Sequence, residues 1–190
     1  MTIIIMQITR GIVYMELLEV LNENGIPTGE ILDKNKVHKE GKYHKEVALI
    51  LLNKKGEILL QKRSSTKEIE PNKWAWHGGH VIAGETSKEA IIRETKEELG
   101  LTLTKNQIKL LVELRRDKFP NRQYTVAYYS RCNLNVDEFK IQKDELSEVK
   151  WFSFRKFKDM IYSSHPDMMF KNNENTNKII SALENIIKSY

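Results

Sequence analysis

Apolar residues along this chain gather in short runs divided by polar turns, a pattern that predicts strands more often than long helices. Residues 47–52 and 58–60 are two such runs, with Asn53-Lys54-Lys55-Gly56 between them. That spacing and turn chemistry predict a β-hairpin. Residues 16–21 read as an earlier strand entering a turn at Asn22-Glu23-Asn24-Gly25, with 29–33 as its returning partner. Residues 110–114, 124–132 and 149–152 are predicted as further strands, the second with alternating and aromatic character. Residues 34–43 are a polar, Lys-rich stretch, and 64–73, with Pro71, are expected to be a loop.

Two segments carry helical spacing instead. Over 86–99, Ala90, Ile91, Ile92 and Leu99 supply an apolar side, and Gly100 is a natural stop. Thr86 or Ser87 can cap this helix, and Thr86 with Glu89 satisfies the capping-box pattern. Over 175–187, Ile179, Ile180, Leu183, Ile186 and Ile187 recur at helical intervals. Strands interleaved with a few helices, without regular alternation, predict a mixed sheet packed between helices.

At 190 residues the chain suits a single domain, 1–190, with a real core. A second methionine, Met15, opens a more conventional segment, so residues 1–14 read as a possible N-terminal extension. The 31 Lys and Arg against 26 Asp and Glu leave a net charge of +5, which favours anionic substrates. There is no basic arm, zinc-finger spacing or aromatic RNA-binding signature, so nucleic acid is not an expected partner. A single cysteine, Cys132, excludes an intramolecular disulfide and a multi-cysteine zinc site. A reducing, cytoplasmic setting is the expectation. The apolar patch within 2–13 is too short to span a bilayer and lacks the features of a signal peptide, so no membrane association is expected.

The charges in the 86–99 helix break local rules. Glu94, Glu97 and Glu98 stand at i, i+3 and i+4, so their carboxylates share one side of the helix. Glu94 and Glu98 repel each other by a few tenths of a kcal/mol or so. Both lie towards the C-terminal end, where the helix dipole also disfavours negative charge. Such a concentration in a basic protein invites a compensating cation, and hard oxygen ligands suit Mg²⁺. Taken alone, an E-x-x-E-E run is more simply a solvated acidic face.

The wider spacing changes that balance. Gly79, Glu85, Arg93, Glu94, Glu97, Glu98, Gly100 and Leu101 stand in register with the Nudix box, and residues 79–101 resemble it throughout. Thr95 departs from the pattern, standing where an aliphatic residue is usual, which bears on packing more than on metal binding. The resemblance implies a loop–helix–loop unit in an α/β/α sandwich with a mixed sheet. It implies Mg²⁺, or Mn²⁺, held by Glu94, Glu97 and Glu98 with the Gly79 carbonyl. The resemblance implies that Arg93 pairs with a box carboxylate, Glu85, and it can also serve as an i, i+4 partner of Glu89 or Glu97. The implied activity is hydrolysis of a diphosphate linkage in a small metabolite. Glu97 is one candidate for the base, and Glu145 or Glu148, otherwise solvated loop charges, are the others.

The chain also resembles a narrower group, the type I isopentenyl-diphosphate isomerase-like Nudix proteins. The likeness rests on His44, Leu59-Leu60-Gln61-Lys62-Arg63, Trp74 and Gly79-His80 before Gly84-Glu85. Gly78 stands where the isomerases carry a cysteine, the run Arg93 to Glu98 is intact, and Asn121-Arg122-Gln123 lacks the isomerases' acidic pair. These departures favour a hydrolase on an isomerase-like frame. In the isomerases three histidines bind metal, which His38, His44 and His80 could match. The reading preferred from the sequence is a surface loop for His38 and a strand edge for His44, with His80 open between a site-lining role and a structural one. His77 is expected to be structural or substrate-facing.

Lys62 and Arg63 end a strand directed at the site and are candidates for phosphate, or for a solvated strand end. Trp74, Trp76, Phe119 and Tyr124 are expected in the core or a loop rather than stacked on a base. Cys132 reads as an inert buried thiol. The alternatives to a diphosphohydrolase are isomerase-like activity and a non-catalytic nucleotide-binding module. A homodimer is common in the family.

Overall fold

The computed structural model describes residues 15–188, together with the backbone of two short paired strands, β1 (Ile5–Gln7) and β2 (Ile12–Tyr14). The reading of residues 1–14 as an extension otherwise lies outside the described residues. The predicted first hairpin forms as β3 (Leu17–Leu21) and β4 (Pro27–Asp33), turning at Gly25 with φ 76°.

The second hairpin joins β5 (His44–Leu52) to β6 (Ile58–Arg63), but the two strands pair only at Leu52 and Ile58 and then diverge. Two short strands fill the opening. Here β7 (Trp74–Ala75) pairs with β6, and β8 (His77–His80) pairs with β5. Neither was legible in the sequence, because Trp74 to His80 mixes Gly, His and Trp without alternation.

The remaining strands are β9 (Lys109–Arg116), β10 (Gln123–Arg131) and β11 (Leu146–Phe152). The sheet runs β11-β6-β5-β10-β9, with β10 parallel to β5 and the other neighbours antiparallel. It is therefore the expected mixed sheet.

Alternation along β5 splits the core in two. Val47, Leu49 and Leu51 pack with Ala90, Ile91 and Leu99 of helix α2 (Ser87–Leu99). Ala48, Ile50 and Leu52 pack on the opposite face with Phe157, Met160 and Ile161 of α3 (Phe154–Tyr162) and Ile179, Ile180 and Leu183 of α4 (Glu174–Lys188). The result is the α/β/α sandwich expected from the sequence. Among the described residues, no helix is long and apolar enough to cross a membrane.

Helix α1 (Lys34–Glu40) corrects the reading of His38 as part of a surface loop. Only Val37 in it is buried, so apolar periodicity gave no signal. Its ends did: Asp33 accepts a hydrogen bond from the Asn35 N–H, and Gly41 closes the helix at φ 62°.

Candidate active site

Helix α2 starts where its sequence says it should. The Thr86 side chain accepts from the Glu89 N–H while Glu89 reaches back to the Thr86 N–H, a complete capping box. Gly100 ends it in the left-handed conformation. This fixes the rotation of the helix and aims Glu94 and Glu98 at β8. Gly79 lacks a side chain where the Glu94 carboxylate lies: a Cβ there would collide with it unless that side chain moved. Glu98 lies beneath His77, its Oε2 3.4 Å from Nδ1 of that ring, and Gln61 Nε2 stands 3.5 Å from the same oxygen. His77 donates from Nδ1 to Gln61 Oε1 at 2.9 Å, so it supports Glu98 from inside the core. Glu97 is mostly exposed, so the three carboxylates share a side of the helix but not one environment.

Arg93 organises the cluster. Its Nε and Nη2 donate to the two oxygens of Glu85 at 2.8 and 3.0 Å, a bidentate pair. Nη1 donates to Glu94 at 2.9 Å and Glu97 at 3.2 Å, and Nη2 also reaches the His80 carbonyl at 3.1 Å. The two roles anticipated for Arg93, box partner and i, i+4 partner, are held together. Burial, with Glu98 adding to it, pushes the Glu94 carboxyl up to about 8 despite the pull of Arg93. A divalent ion would offset that penalty. The cradle at Gly79 and the set of hard oxygens fit the Mg²⁺ or Mn²⁺ that the Nudix box implies.

The other face of the β5–β8 ladder carries a second cluster. Glu46 pairs with His80 across the strands, as Val47 pairs with Gly79, so the first pair points away from α2. His38 from α1, His44 from β5 and His80 from β8 bring ligand nitrogens within 4.8 Å of one another. This overturns the preferred sequence reading of His38 and His44. His44 is fully buried rather than at an exposed edge, and His80 lines this cluster. Burial drives the His80 ring down to about 4, reinforced by His44 and opposed by Glu46 and Glu16. Burial opposes the charge on Glu46, but the three histidines outweigh it and hold that carboxyl below its usual range. The cluster also fits the metal that the isomerase resemblance implies. Glu46 went unnoticed in the sequence, although its place two residues after His44 sets both on one strand face.

Among the remaining candidates, Lys62 stands between Trp74 on β7 and Glu148 on β11, its register partners across the sheet. Lys62 lies 5.9 Å from the centre of the Trp74 ring, and Arg63 Nε donates to the Ile69 carbonyl at 3.0 Å. Glu145 is paired with Lys67, while Glu148 is exposed on β11. Trp74 is buried in the core, Trp76 stacks on Phe170, and the Tyr124 hydroxyl donates to the Glu23 carbonyl. Phe119 is exposed, with its ring over Gly41.

A mixed-sheet α/β/α sandwich carrying a glycine-fronted glutamate helix braced by an arginine is the class of fold that the spacing over 79–101 implies. Residues 42–171 match the family model of the NUDIX domain, and the chain belongs to the Nudix family. It is 31% identical over 161 residues to Nudix hydrolase 3 of Arabidopsis thaliana, a match covering 80% of this chain but 21% of that protein. It is 26% identical over 156 residues to isopentenyl-diphosphate Delta-isomerase 2 of Photorhabdus laumondii, covering 80% of this chain and 85% of that one. The fold is similar to the crystal structure of DR0079 from Deinococcus radiodurans, with TM-score 0.68, 21% identity and coverage of 90% and 98% of the two chains.

Proposed function

We propose that this chain is a metal-dependent hydrolase that splits a diphosphate linkage in a nucleoside diphosphate derivative or a similar small metabolite. The observation that carries this reading is the packing of Glu94 into the space left open by Gly79, braced by Arg93. Glu94, Glu97, Glu98 and the Gly79 carbonyl are the groups that hold Mg²⁺ or Mn²⁺. Bound there, the ion would neutralise phosphoryl charge and lower the pKa of a bound water. Arg93, engaged by three carboxylates and a carbonyl, keeps the cluster in shape. Glu97 is the favoured proton acceptor because it is the most exposed carboxylate of the helix cluster. Of the substrate-binding candidates Lys62, Arg63 and His80, Lys62 is the most available: the Ile69 carbonyl already engages Arg63, and the His80 ring is turned into the histidine cluster. A cytoplasmic setting and a homodimer belong to the same proposal.

Purified chain with Mg²⁺ should release phosphate from at least one class in a panel of nucleoside diphosphates, dinucleotides, sugar nucleotides and prenyl diphosphates, and EDTA should abolish it. Glu97→Gln and Glu98→Gln should each lose turnover with no change in thermal midpoint in metal-free buffer. Retained turnover in both would remove these two carboxylates from the reaction, whereas no turnover of any substrate by the wild-type chain would leave a nucleotide-binding module.

The histidine cluster favours one other reading, isomerase-like chemistry at carbon. Against it, Gly78 offers no thiol, and a Cβ at that position would overlap the Val47 carbonyl oxygen in the adjacent strand. Isopentenyl diphosphate incubated with the chain and Mg²⁺ should therefore show no allylic isomer by NMR, and neither should a Gly78→Cys variant.

A further inference from the structure

The isomerase likeness implies a metal for three histidines but supplies no anion for it here, since Asn121 and Gln123 occupy the segment where an acidic pair would stand. We propose that Glu46, on strand β5, is the anionic ligand of this cluster, making His38, His44, His80 and Glu46 a four-coordinate site for a transition-metal ion such as Zn²⁺, separate from the Nudix glutamates.

Three of the six donor separations are close to those of such a site, and the histidine nitrogens all lie within 4.8 Å of one another. With bonds of roughly 2.0–2.1 Å, neighbouring ligands of a tetrahedral Zn²⁺ stand about 3.3 Å apart. His38 Nε2 and His80 Nε2 are 3.2 Å apart, and Glu46 Oε1 lies 3.6 Å from both His44 Nε2 and His80 Nε2. The protonation pattern agrees. His44 Nδ1 lies 3.2 Å from the Lys42 carbonyl, which can only accept, so Nδ1 carries the hydrogen and Nε2 keeps its lone pair. That Nε2 is buried with no hydrogen-bond partner, an arrangement that costs free energy unless a ligand sits there. His80 turns its own Nδ1 to Glu16 Oε2 at 3.6 Å, the outer carboxylate contact that orients a ligating ring.

Gln123 orients the carboxylate. Gln123 is the neighbour of His44 across the parallel β5–β10 pair. Its Nε2 donates to Glu46 Oε2 at 2.5 Å, leaving Oε1 directed at the histidines. The amide thus holds in place the charge that it does not itself carry. Three neutral imidazoles and one carboxylate are a borderline set that suits Zn²⁺ and its neighbours over Mg²⁺.

The experiment uses the full chain, freed of metal by EDTA and titrated with Co²⁺ as a spectroscopic probe for Zn²⁺. One equivalent should produce the intense visible bands of a four-coordinate centre, displaced by Zn²⁺ and not by Mg²⁺. Glu46→Gln should weaken binding by more than the roughly 10–100-fold that loss of an outer partner costs. The double variant Glu46→Gln with Gln123→Glu, which moves the carboxylate to β10, should recover it. Circular dichroism in EDTA confirms that each variant is folded, and the double variant decides the matter should Glu46→Gln alone be unstable. Glu97→Gln with Glu98→Gln should leave the bands intact, which separates this site from the hydrolase reading. Absence of four-coordinate bands in the wild-type chain, or wild-type affinity in Glu46→Gln, overturns the proposal.

Discussion

Gly79 shows how one missing side chain can decide a site. Its absent Cβ is the space into which Glu94 folds, so Gly79→Ala must push that carboxylate away from the strand. The obstruction is the flexible end of a side chain rather than backbone. Thermal stability should therefore change little, while kcat should fall by about 10-fold or more, the scale at which displaced catalytic geometry is felt. Steady-state kinetics beside a melting curve test both halves. Cys132 is the opposite kind of residue, a buried thiol whose pKa is raised by burial. It should resist alkylation in native buffer and react fully in denaturant, as mass spectrometry would read. Thr95, the departure from the box pattern, is completely buried, and its hydroxyl donates to the Ile91 carbonyl at 2.6 Å. The threonine satisfies its own polar atom within the helix, which is why the substitution affects packing and not the carboxylates on the other side.

Among the elements, α2 was legible because its signals are local. The Thr86–Glu89 box, the Ala90–Ile91–Leu99 stripe and Gly100 all lie within one stretch of chain. Thr86→Ala removes the cap and should cost about 0.5–2 kcal/mol in urea unfolding, with Thr86→Ser recovering most of it. Helix α3 was missed although its signal was present. Ser153 caps the Lys156 N–H, and Phe157, Met160 and Ile161 are the buried residues at i, i+3 and i+4. Helix α1 had almost no apolar signal. Strands β7 and β8 had none, since two and four residues are too few to establish a period and their pairing partners lie far away in sequence.

At the scale of the whole molecule, two cores on opposite faces of one sheet hold two clusters on opposite faces of the β5–β8 ladder. The C-terminal helix α4 covers one core without contributing to the Nudix glutamates. Leu183, on the buried face of that helix, should cost about 2–5 kcal/mol on truncation to Ala, because a cavity would open in a packed interior. Chemical denaturation should show that loss, while kcat under folding conditions should stay close to wild type. A loss of kcat with unchanged stability would mean that α4 reaches the site after all.

The amino-acid sequence by itself determined the acidic helix, the i, i+4 place of Arg93 before Glu97 and the alternation that makes a mixed sheet between helices. Each depends on spacing within a single element, where 3.6-residue or two-residue periodicity dictates which side chains are neighbours. Tertiary structure alone decided that His38, His44, His80 and Glu46 converge. They come from a helix and two strands, and their meeting depends on the non-local pairing of β5 with β8 and the docking of α1, which no local periodicity encodes.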